Sequence, residues 1–93
     1  MRKREVSRTE RLLNRMDRVI EDLKLDENAL KETKEKFMRK EFGRTVYTDT
    51  LSAIYTNLCT NISRLDIVRI RFEHEGLEVS DEAKEMIDKY LGG

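Results

Sequence analysis

Leu51, Ile54, Tyr55, Leu58, Ile62, Leu65, Val68 and Phe72 recur every three or four residues. That rhythm places them on one face only when the backbone is wound at 3.6 residues per turn. A helix over roughly 50–75 follows. Ile67 and Ile70 lie off the stripe and widen its apolar face toward the end. Gly76 stops this helix in the left-handed conformation that glycine adopts without steric cost, and Leu77 is placed for the apolar contact that accompanies such a stop.

The same signals recur on both sides. Ser7 followed by Glu10 fits a capping box, and Leu12, Leu13, Met16, Val19, Ile20 and Leu23 share a face behind it, so the spacing predicts a first helix over 8–24. Asp26 reads as the cap of a second helix reaching Phe42, with Leu30, Phe37, Met38 and Phe42 turned inward. An unbroken helix is the alternative, because positions 12, 16, 19, 23, 26, 30, 33 and 37 keep an alternating four-three spacing. Asp26 and Thr33 are poor residues for such a seam, which favours the break. Gly43 is expected to close that helix, residues 44–50 read as a connection, and Asp49 or a nearby threonine as the next cap. Ser80 caps a short final helix with Asp81 and Glu82 in its first turn and Ala83, Met86, Ile87, Tyr90 and Leu91 on its buried face.

These elements predict an all-α fold, an antiparallel bundle of three to four helices forming one domain over 1–93. Residues 1–6 are expected to be a disordered basic tail. Charged residues make up 41% of the chain and hydrophobic ones 38%, a mixture that suits disorder unless the apolar residues are ordered in space. Here they are, and the charges sum to zero. A helix of some 26 residues is about 39 Å long, against about 30 Å for a compact globule with a radius of gyration near 12 Å. Either the bundle is elongated or a second copy covers the excess face; self-association is expected.

Little in the chain resembles reactive chemistry. The single histidine, His74, stands between Glu73 and Glu75 and reads as a solvated surface residue with no second ligand at metal-binding spacing. Cys59, the only cysteine, reads as a small buried hydrophobe beside the main stripe, and it excludes an internal disulfide and a paired-cysteine site. Neither a glycine-rich phosphate loop nor a nucleophile elbow is present. No enzyme activity, cofactor or metal is expected. With no apolar run long enough to span a bilayer and none behind Met1-Arg2-Lys3-Arg4, the expected address is the cytoplasm.

Charge is distributed unevenly. Residues 1–18 carry seven basic and three acidic side chains, whereas residues 73–93 carry seven acidic and two basic ones. One reading is structural: the oppositely charged ends pack together, within one chain or between copies. The other is functional. Arg2, Lys3, Arg4, Arg8, Arg11 and Arg15 would then meet nucleic-acid phosphates, or the acidic end a basic groove on a protein. A second set, Arg64, Arg69 and Arg71, surrounds Ile67 and Ile70. Arginines beside exposed isoleucines suit a protein interface, unless the final helix covers those isoleucines.

The run Arg71-Phe72-Glu73-His74-Glu75-Gly76-Leu77-Glu78-Val79-Ser80, followed by Glu82, Ala83 and Lys89-Tyr90-Leu91-Gly92, resembles the small antitoxins of Fic-type toxin–antitoxin systems. In that family a helix ending in Ser or Thr, three residues and Glu-Gly blocks the toxin's nucleotide site, and a short acidic helix follows. The resemblance implies that Glu75 is the inhibitory carboxylate and Gly76 its partner; Arg71 stands at the family's Ser or Thr position. The expected function is that of a small non-catalytic protein that binds a partner protein through Arg64, Ile67, Arg69, Ile70, Arg71 and Glu75 and regulates or inhibits it by steric occlusion. A nucleic-acid-binding regulator that uses the basic N-terminal segment is the alternative.

Overall fold

A computed structural model of the chain describes residues 7–92, and these form α1 (Arg8–Met38), α2 (Arg44–Glu75) and α3 (Asp81–Leu91). There is no strand among the described residues, so the fold is all-α. The expected basic tail at 1–6 lies outside the described residues.

α1 runs for 31 residues without the expected break at 25–28. Asp26 caps nothing. Instead it turns into the space between α1 and α2, where its carboxylate accepts a hydrogen bond from Asn61 Nδ2 at 2.8 Å. Thr33 is also buried. The four-three spacing that continues through 26 and 33 is therefore a seam, and a polar partner on the facing helix makes it tolerable. That partner is one position of a matching seam on α2: Leu51, Ile54, Leu58, Asn61, Leu65, Val68 and Phe72. Arg8 beside Glu75, Asp26 beside Asn61 and Phe37 beside Tyr47 fix the two helices as antiparallel.

The turn between them corrects two further expectations. Gly43 is extended (φ −81°) and stands before α2, while the left-handed residue that closes α1 is Lys40 (φ 60°). The N–H of Glu41 reaches the carbonyl of Lys36 and that of Lys40 the carbonyl of Phe37, which satisfies the last turn without a glycine. Residues 44–50, expected as a connection, are already helical. Tyr47 stacks on Phe37 with ring centroids 4.1 Å apart, and the hydroxyl of Thr48 donates to the Arg44 carbonyl at 2.9 Å. Packing against α1 overrides the weak helix preference of threonine and valine here.

Exposure follows the seam, not the wider stripe read from the sequence. Leu13, Met38 and Tyr55 were expected inside and are exposed. Cys59, expected as buried, is exposed, because the seam passes through 58 and 61 and leaves 59 on the outer face. The core is one cluster: Leu12, Met16, Val19, Ile20 and Leu23 from α1, Leu58, Leu65, Val68 and Phe72 from α2, and Ala83 and Met86 from α3. The outline is elongated, with a radius of gyration of 16.9 Å and extents of 54 × 39 × 19 Å.

Two caps hold α3 in place as expected. Ser80 Oγ accepts from the Ala83 N–H at 3.2 Å, and Gly76 turns the chain in the left-handed region (φ 68°) with Leu77 N–H on the Phe72 carbonyl at 2.9 Å. Polar contacts then tie α3 to α1. Lys24 pairs with Glu82, whose hydrogen bond raises the lysine pKa. Glu27 pairs with Lys89 and accepts the Tyr90 hydroxyl at 2.5 Å. Burial opposes ionisation of Glu27, but the bonds from Lys89 and Tyr90 outweigh it and its pKa is lowered. Burial and the Glu27 carboxylate together push the Tyr90 phenol up.

A pH dependence follows. With the folded pKa of Glu27 below its unfolded value, this contact contributes fully above the ordinary glutamate pKa and is lost as pH falls through the lowered one. Acidification below about pH 4 is expected to loosen α3 before the hairpin of α1 and α2. Amide hydrogen exchange across pH 3–6 should show α3 losing protection first, and Glu27→Gln should flatten that dependence.

Candidate functional site

In an antiparallel pair, the positions flanking the seam form one groove on each side. α3 contributes to only one of them, through Glu27 and Lys24. The opposite groove is open. From α1 it presents Arg8, Arg11, Arg15 and Arg18, spaced by three and four residues and so on one helix face; from α2 it presents Arg64, Ile67, Ile70, Arg71 and His74. Two cavities lie along it, each about 510 Å³. Arg8, Arg11, Leu12, Arg15, Ile70, Arg71, His74 and Glu75 line the first; Arg15, Arg18, Val19, Asp22, Arg64, Ile67 and Val68 line the second. Arg15 belongs to both, which makes them one trough.

Flanking positions of paired helices commonly bring opposite charges together. Here arginine faces arginine. Six arginines line the trough against two carboxylates, Asp22 and Glu75. Arg8 Nε pairs with Glu75 at 2.9 Å. Among the described residues, Arg11, Arg15, Arg18, Arg64 and Arg71 have no ion-pair partner. Apolar side chains line the trough as well: Leu12, Val19 and Val68 are buried, while Ile67 and Ile70, on the α2 side, remain 53% and 50% exposed. The final helix does not cover those two isoleucines.

Both sets of residues read from the sequence therefore meet in one place. Arg8, Arg11 and Arg15 come from the nucleic-acid set, and Arg64, Ile67, Ile70, Arg71 and Glu75 from the protein-binding set. Arg69 does not join them. It lies on the other side of α2, bound to Asp66 at 2.7 Å and to Glu73 at 2.9 Å. The hydrogen bond to Asp66, ahead of the charge of Glu73, raises its pKa further. Arg2, Lys3 and Arg4 lie outside the described residues. Arg18 and Asp22 went unread in the sequence, although Arg18 continues the 8, 11, 15 spacing. Glu75, the carboxylate the antitoxin resemblance singles out, ends α2 and is held by Arg8.

The trough can bind negative charge beside apolar surface. His74 is exposed at its end, makes no hydrogen bond among the described residues and has no nucleophile beside it. No group of three histidine, cysteine or carboxylate side chains among the described residues could hold a metal ion. None of the described helices is long and apolar enough to cross a membrane. Comparison with protein-family models, with curated proteins and with solved structures finds no match for this chain.

Proposed function

We propose that the chain is a non-catalytic binding protein that docks a partner protein in the arginine-lined trough between α1 and α2 and regulates or inhibits it by occluding the docked surface. The observation that carries this reading is the combination of unpaired arginines with half-exposed isoleucines on one side of the α1–α2 pair. Arginine is enriched in the energetically dominant parts of protein interfaces, and apolar side chains that solvent reaches gain by being covered. A preformed hairpin also needs little reordering to bind, which lowers the cost of association. The antitoxin resemblance is a special case of this reading: Glu75 would be delivered to a toxin's nucleotide site, and it would have to leave Arg8.

Self-association in a bundle of more than one copy is the second part of the proposal. Between Thr45 and Ser63 the chain has one charged residue, Asp49, although 41% of the whole is charged. A second copy would cover such a surface without stranding charge. Light scattering should then give a mass near twice that of the 11.1 kDa chain.

The nucleic-acid reading keeps one observation in its favour, the number of unpaired arginines, since phosphate contact requires basic groups. Affinity capture from host lysate, run beside a gel shift with generic DNA and RNA over a salt series, separates the two. Capture of a protein by the wild type, lost in Arg15→Glu/Arg71→Glu, without a nucleic-acid shift, is the expected result. A shift that weakens steeply with salt and disappears in the same variant, with no captured protein, would overturn the proposal.

A further inference from the structure

We infer that the occupant of the arginine trough is an acidic amphipathic helix of the partner, about three turns long, lying along α1 and α2. This rests on the protein-binding reading and names the chemistry of what is bound. Charge gives the sign: five of the six arginines lining the trough have no ion-pair partner among the described residues, and the sixth, Arg8, is held by Glu75. Whatever fills the trough must bring carboxylates or phosphates to both rims.

The apolar lining decides between those two. Ile67 and Ile70 are each about half exposed on the α2 side of the trough, beside Arg64 and Arg71. A sugar–phosphate backbone would neutralise the rims and leave the isoleucines against polar groups. An amphipathic helix satisfies both, since its apolar stripe meets the isoleucines while flanking Glu or Asp residues meet the arginines.

The chain already shows the mode on its other side. There α3, an amphipathic helix of 11 residues, about 16 Å long, seats Ala83 and Met86 on the core. Its polar residues bind flanking positions, Glu82 to Lys24 and Lys89 to Glu27. Arg8 to Arg18 covers eleven residues of α1, about 15 Å from first to last, so the open trough accepts a helix of the same length. The difference is its charge, basic on both rims. The α3 of a second copy does not qualify, because its apolar face is already seated on its own hairpin.

The test is fluorescence anisotropy with the full chain and model helices of about four turns. One carries a leucine stripe with glutamate flanks, one the same stripe with lysine flanks, and one glutamate flanks with an alanine stripe. Single-stranded and duplex oligonucleotides complete the set. The leucine–glutamate helix is expected to bind best, and both Ile67→Ala/Ile70→Ala and Arg15→Glu should weaken it by roughly tenfold or more. These side chains are exposed, and an unchanged thermal midpoint confirms that the variants fold. Binding indifferent to the isoleucine replacements, or an oligonucleotide that binds more tightly, would overturn the inference. If no model helix binds while lysate capture still depends on Arg15 and Arg71, the helix inference falls and the protein-binding reading stands. If neither occurs, both fall.

Discussion

Phe72→Ala is expected to destabilise the fold by about 3–5 kcal/mol, the range seen when a large aromatic side chain is removed from a packed interior. Phe72 is 2% exposed, is the last seam residue of α2, and supplies the carbonyl that receives the Leu77 N–H where the chain turns toward α3. Its loss empties the end of the core where α2 gives way to the α3 connection. Domains of this size hold roughly 5–15 kcal/mol in total, so the variant should unfold at far lower urea and lose most of its helical signal near physiological temperature. Tyr55→Ala provides the contrast. Tyr55 stood on the same stripe in the sequence but is 52% exposed, and its replacement should cost about 0.5 kcal/mol or less. Equal losses for the two variants would mean that the seam has been assigned to the wrong residues.

The second large effect concerns Asp26 and Asn61. Asp26→Leu leaves the buried amide of Asn61 without its partner and should cost about 1–3 kcal/mol. Asp26→Leu/Asn61→Leu removes both polar groups and should be at least as stable as the wild type, since a matched apolar pair has no desolvation cost to recover. What the double variant loses is registry. A buried polar pair penalises every alignment of the two helices except the one that brings it together. Chemical denaturation should therefore rank the double variant above the single one, and light scattering should find more than one association state in the double variant alone. A double variant less stable than Asp26→Leu would mean that the 2.8 Å contact is not what keeps the two helices in step.

That polar layer also explains where the sequence was hard to read. Helix type, the Ser7 cap, whose Oγ accepts the Glu10 N–H at 3.1 Å, the Ser80 cap, the Gly76 stop and the extent of α3 depend on neighbours within a few residues, and local signals were sufficient for them. The continuity of α1 depends on Asn61, 35 residues away, and nothing near Asp26 announces it. Residues 44–50 are helical because Tyr47 stacks on Phe37, which is again a distant contact. Lys40 occupies a left-handed position that glycine usually fills, so Gly43 drew the turn to the wrong place. The candidate site was legible as two halves. Arg8, Arg11 and Arg15 resembled a phosphate-binding segment, and Arg64, Ile67, Ile70 and Arg71 a protein interface. Only the antiparallel pairing makes them the two walls of one trough, and it also turns Arg69 away toward Asp66 and Glu73.

The most direct measurement is site-specific photocrosslinking in the native host, with a photoreactive residue placed at 67 in the trough, at 55 on the outer face of α2, or at 88 on α3. Occupation of the trough by a protein predicts one discrete crosslinked species from position 67, absent from 88 and abolished by Arg15→Glu/Arg71→Glu. Crosslinks to nucleic acid from position 67, or a protein species captured from 88 while 67 stays free, would contradict it.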